Sequence, residues 1–148
     1  MTEDTRRLQK QTDLRAASIT VDFTAPELGA AWKDVLDGKE TWMLASYESK
    51  SKLKLVGKGS GGFAELVDAL SDDEVMYAGF KYEQGRTKFC FLSWVGENVG
   101  GMKKARASQD ISSVKHLIDP IHNEINALSR DDITPEAVRG RLGADAEF

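Results

Sequence analysis

The sequence predicts one α/β (α+β) domain, in which a central mixed sheet of about five strands is sandwiched by helices. Three observations carry this. The 148 residues are enough to bury one sizeable core and too few for two ordinary ones. The hydrophobic period switches along the chain in the order helix, strand, strand, helix, strand, strand, helix, strand, helix. Residues 75–82 and 89–95 are apolar on both alternations, the pattern of central strands covered on both faces.

The elements follow in order. Residues 1–17 are polar without periodicity, and residues 1–23 are expected to form a flexible extension ahead of a domain spanning 24–142, with 143–148 as a C-terminal tail. Ile19, Val21 and Phe23 alternate with polar residues, so a short edge-docking strand is expected there. Thr24 and Glu27 have capping-box spacing, and Leu28, Ala31, Trp32, Val35 and Leu36 then make one apolar helical stripe that ends at Asp37-Gly38. Residues 41–47 and 53–56 read as a hairpin with a polar loop, and its lysines Lys50, Lys52, Lys54 and Lys58 read as guards of an edge strand. Phe63, Leu66, Val67 and Leu70 have helical spacing behind a glycine-rich turn. The two central strands are joined through residues 83–87. Met102 and Ala105, then Val114, Leu117 and Ile118, mark one helix or two in line, with 108–110 as the break and Pro120 as the stop. A weak strand at 121–128 precedes a last helix with Thr134 as cap, Pro135 at its first position and Gly143 past Leu142.

Composition excludes several classes. With 41% hydrophobic and 30% charged residues the chain falls in the globular range, against wholesale disorder or a collagen-like or coiled-coil rod. One cysteine and two histidines cannot build an internal disulfide or a Cys₂His₂ or Cys₄ zinc site. The polar start carries no signal-length apolar run and no segment reaches membrane-spanning length, so a cytoplasmic address is expected, with no membrane insertion. Twenty Lys and Arg against 24 Asp and Glu give a net charge of −4, so nucleic acid is not an expected partner. Between residues 81 and 106, however, Lys81, Arg86, Lys88, Lys103, Lys104 and Arg106 face only Glu83 and Glu97, a local excess of +4 in an acidic chain.

Enzymatic motifs fail one by one. In the 57–62 segment, Gly-Lys-Gly-Ser-Gly-Gly, the lysine precedes the glycines instead of closing a Walker loop, so a flexible turn is preferred to a nucleotide site. Cys90 sits inside Phe89-Cys90-Phe91-Leu92, a core setting for a thiol, and His116 and His122 fall on different elements. Asp72-Asp73 and Asp131-Asp132 sit in turns at helix ends, where carboxylates cap. No enzyme and no cofactor are therefore expected. The basic set remains, and if the helix after residue 96 folds back along the sheet, Arg86 and Lys88 become neighbours of Lys103, Lys104 and Arg106 and form a patch for an acidic protein. The bland alternative is that those three side chains solvate the outer face of a helix whose inner face is Met102 and Ala105.

Residues 88–100, Lys-Phe-Cys-Phe-Leu-Ser-Trp-Val-Gly-Glu-Asn-Val-Gly, with Arg86 upstream and Ser113-Val114-Lys115 in the helix beyond, resemble the coactosins, a branch of the actin-depolymerising-factor homology family. Residues 57–66 resemble the coactosin segment between its second strand and second helix, and the likeness runs from about Thr24 to Leu142. The resemblance implies the family fold and a monomeric, non-enzymatic protein of the actin cytoskeleton. Such a protein binds the sides of filamentous actin and opposes capping without strong severing. A cofilin-like monomer-binding and severing factor is the neighbouring alternative; a nucleotide-binding protein or enzyme using the 57–62 loop is the alternative from another class. By resemblance Lys88, with Arg86 beside it, is the filament contact on the strand, and Lys103, Lys104 and Arg106 lie on the actin-facing helix. Coactosins carry a lysine-rich end to the final helix; here only Arg139 and Arg141 supply that charge.

Overall fold

The alternating segments of the sequence pair into one five-stranded sheet in the order β2-β1-β3-β4-β5. Its strands are β1 (Trp42–Ser49), β2 (Lys52–Gly59), β3 (Val75–Gln84), β4 (Arg86–Val95) and β5 (Asn123–Ala127). All neighbours are antiparallel except β4 and β5, which run parallel, so the sheet is mixed as expected. The computed structural model describes residues 26–50 and 52–148. The strand expected at 19–23 and the Thr24 capping box lie outside the described residues.

Each face of the sheet is covered by two helices because successive side chains of a strand point to opposite sides. On one face α1 (Pro26–Leu36) and α3 (Gly101–Leu117) pack on Met43, Ala45, Tyr77, Phe89 and Phe91. On the other, α2 (Phe63–Ala69) and α4 (Pro135–Leu142) pack on Trp42, Leu44, Met76, Phe80, Leu92 and Trp94. The stripe Leu28, Ala31, Trp32 and Val35 is buried as its spacing requires. At the last helix the Thr134 hydroxyl accepts the Ala137 N–H at 3.1 Å and Pro135 opens the first turn. A 3₁₀ turn, Arg130–Ile133, leads into it, and Asp132 there accepts the Leu128 N–H at 2.8 Å, which ties the turn back to the end of β5 and does not cap a helix.

The structure departs from expectation in several places. The connection at 83–87 shrinks to Gly85 alone, whose φ of +75° lets β3 run to Gln84 and β4 start at Arg86. Gly57 to Gly59 are not part of a flexible turn but the end of β2, paired with Trp42 to Leu44. Of the two alternatives for the helix after residue 96, one continuous helix is observed, without a break at 108–110. Its inner face is Ala107, Asp110 and Val114, whereas Met102, 90% exposed, and Ala105 face solvent. The residues at 143–148 are also more than a trailing tail. Glu147 and Glu83 exchange both backbone hydrogen bonds at 2.8 Å, Ala146 is buried, and the Phe148 ring meets Phe63 edge-on at 5.5 Å.

Candidate functional site

Strand direction decides which basic residues can act together. Because β3 and β4 are antiparallel, Arg86 and Lys88 lie at the sheet end formed by the start of β4, the end of β3 and the start of β5. Arg86 and Lys88 are two apart, so both point to the face that carries α4, the side on which Tyr82, the cross-strand partner of Lys88, is buried. Arg86 is exposed and Lys88 half-buried. The Lys88 ammonium donates to Gln84 Oε1 at 3.2 Å. Gln84 in turn donates through Nε2 to the Leu142 carbonyl at 2.9 Å and to Asp145 Oδ1 at 2.7 Å. That bond from Gln84, followed by the backbone and by the nearby Lys88 charge, holds the Asp145 carboxyl below its usual range.

Arg139 and Arg141 reach the same end along α4. The Arg139 guanidinium lies over the Phe148 ring, 5.1 Å from its centroid, and Arg141 donates to the Glu124 carbonyl at 3.0 Å. Both are exposed yet tethered to the fold, Arg139 over the docked C-terminal ring and Arg141 at β5, so their charge does not trail in solvent.

The other basic group sits elsewhere. The α3 helix does fold back along the sheet, but it starts beside Val95, where the Gly96 N–H donates to the Glu74 carbonyl at 3.0 Å. Lys88 and Val95 are seven residues apart on a strand that rises about 3.3 Å per residue, so roughly 23 Å separates the two groups along β4. The expectation that Arg86 and Lys88 neighbour Lys103, Lys104 and Arg106 is therefore wrong: folding back brings the end of α3, not its start, toward Lys88. The sequence-level excess of +4 is divided between two ends of the molecule.

At that second end Lys103 and Lys104 are exposed, and Lys103 and Arg106 line an open groove of about 570 Å³ with Met102, Tyr47, Glu48, Lys50, Asp73 and Glu74. Arg106 serves the fold: it donates to the Lys50 carbonyl at 2.7 Å and stands 3.6 Å from Asp110. Asp110, 2% exposed, accepts from Tyr47 at 2.6 Å, and Tyr47 and Tyr77 share a hydroxyl contact at 2.8 Å. Burial and the Asp110 bond raise the Tyr47 phenol far above its ordinary value, so it stays a neutral donor. The cluster fixes the first turns of α3 against β1 and β3. Sequence reading misses it because a buried aspartate interrupts the apolar period that marks a helix's inner face.

The glycine-rich segment has a structural explanation. Glu65 of α2 accepts the Trp42 indole N–H at 2.8 Å and the Gly61 backbone N–H at 3.1 Å. A Cβ at Gly59 or Gly61 would collide with the Glu65 carboxylate. Lys58 pairs with Asp34 at 2.9 Å, each shifting the other toward its charged form. A protein carboxylate thus stands where a phosphate cradle would need an empty space. Cys90 is fully buried, and desolvation pushes its thiol pKa up, away from the thiolate a nucleophile needs. Among the described residues no three His, Cys, Asp or Glu side chains gather to hold a metal, and no helix is long and apolar enough to cross a membrane.

Comparison with known proteins gives a consistent picture. A family model described as cofilin/tropomyosin-type actin-binding protein matches residues 20–143. Coactosin of Dictyostelium discoideum is 42% identical over 136 residues, covering 84% of this chain and 93% of that protein. The crystal structure of coactosin from Entamoeba histolytica superposes with a TM-score of 0.73 at 26% identity, over 84% of this chain and 96% of the other. The solution structure of mouse coactosin, described as an actin filament binding protein, superposes with a TM-score of 0.68 at 22% identity, over 82% and 89% of the two chains, a likeness of fold.

Proposed function

Since the chain belongs to the family of cofilin/tropomyosin-type actin-binding proteins, we propose that it binds the sides of actin filaments in the coactosin manner, as a monomeric, non-enzymatic regulator of filament dynamics. The observation that carries the reading is the near full-length likeness to coactosin, which includes the segment bearing Lys88. The contact is built on Arg86 and Lys88, with Arg139 and Arg141 adding positive charge at the same end. These four side chains meet acidic actin and supply orientation and association rate. Filament side binding that opposes capping needs no cofactor, and nucleic acid is not among the partners of an acidic chain whose basic residues are split between two ends. The protein works at the actin cytoskeleton.

Lys103 and Lys104 form a second, separate contact beside the exposed Met102. Reversing Lys104 to Glu is expected to slow association with filaments about three- to tenfold at low salt, with a much smaller effect at high salt where the charge is screened. Stopped-flow association of the full chain measures this. Wild-type rates would take α3 out of the contact and leave β4 to carry it.

A further inference from the structure

The residues after α4 hold the side chain of Gln84 in a way that the fold alone does not require. Gln84 has one carbonyl and two N–H donors to place. Its Nε2 faces the Leu142 carbonyl and the Asp145 carboxylate, neither of which can donate. Turning the amide over would set its oxygen against both acceptors, so Oε1 is locked toward Lys88 Nζ at 3.2 Å. Gly143 makes the approach feasible: its φ is +125°, and a Cβ there would collide with Gln84 Nε2. The paired backbone bonds between Glu147 and Glu83 and the seating of Phe148 on Phe63 fasten the segment just after Asp145. An ammonium has three donors, so the bond to Gln84 leaves two for a filament carboxylate.

We propose that the segment from Gly143 to Phe148 is an intramolecular latch that positions Lys88 for its partner, acting through the Gln84 carboxamide. The proposal rests on the reading of Lys88 as a filament contact. A long lysine on a strand end otherwise samples many rotamers, and ordering it before binding removes part of the entropy loss on association. Gln84 and Asp145 are positioning residues; neither is required to touch actin.

Asp145 separates this role from a simple charge effect. If the tail acted only as negative charge beside a surface that meets acidic actin, Asp145→Ala and Asp145→Asn would both tighten filament binding. The latch predicts otherwise. Asp145→Ala and Gln84→Ala weaken binding about three- to tenfold, the effect of a lost hydrogen bond, while Asp145→Asn keeps an acceptor oxygen and stays near wild type. Both losses disappear in a Lys88→Ala background, which a general loss of folding would not produce.

The experiment is filament co-sedimentation of the full-length single and double variants, with thermal melting of each and NMR exchange of the Gln84 side-chain amide protons. Protected Gln84 protons that exchange faster in Asp145→Ala support the latch independently of actin; unprotected protons in the wild type overturn it. Wild-type or tighter binding of Asp145→Ala, equal loss in Asp145→Asn, or losses that persist beside Lys88→Ala also overturn it. Unchanged binding of Lys88→Ala alone would instead overturn the reading on which the latch rests, and the latch with it.

Discussion

Replacing Trp94 with alanine is expected to lower the unfolding free energy by about 3–5 kcal/mol. The indole is fully buried on the α2 and α4 side of the sheet. Its N–H donates to the Ser71 carbonyl at 2.7 Å, and the Arg130 guanidinium lies 4.9 Å from the ring centroid. Arg130 also donates to the Val67 and Leu70 carbonyls at 3.1 and 2.9 Å and pairs with Asp72 at 3.0 Å. Truncation thus leaves a cavity, an unpartnered carbonyl and a guanidinium without its aromatic platform, all under the connection that leads out of α2. Denaturant unfolding checks this. The fraction that remains folded should still bind filaments, because Trp94 lies near the opposite end of β4 from Lys88. A wild-type midpoint with lost actin binding would make Trp94 an exposed contact instead.

Lys88→Ala is expected to behave in the reverse way. It should weaken filament binding by about 1–3 kcal/mol, which is roughly 5- to 150-fold in Kd. The melting temperature should barely move, since among the described residues the half-buried side chain hydrogen-bonds only Gln84 and belongs to neither core cluster. Titration calorimetry or co-sedimentation beside a melting curve separates binding from folding. Full affinity in a well-folded Lys88→Ala protein would remove Lys88 from the contact.

What the sequence makes legible is the part of the structure that repeats. Leu28, Ala31, Trp32 and Val35 recur at helical spacing, the runs of β3 and β4 are apolar on both sides, and Thr134-Pro135 with Gly143 bracket α4; each signal is local and each element stands where it is expected. What is lost depends on contacts between distant residues. Asp110 occupies a buried position because Tyr47 and Arg106 meet it, and no period reports a hydrogen bond across 63 residues of chain. The glycines at 57–61 look like a loop because the reason for them, Glu65 and Trp42 crowding the backbone, comes from other elements. The basic residues between 81 and 106 look like one group because they are close in sequence, yet the two ends of a ten-residue strand stand far apart in space. The segment after Gly143 carries no period at all, so its docking on Glu83 and Gln84 was invisible.

The filament claim is tested most directly by sedimenting the full chain with preformed actin filaments over a range of filament concentrations, beside a titration against actin monomers. The account predicts saturable pelleting that weakens as salt rises, little binding to monomers, and filaments that keep their length. A chain that stays in the supernatant with filaments, or that binds monomers and shortens filaments instead, would contradict it.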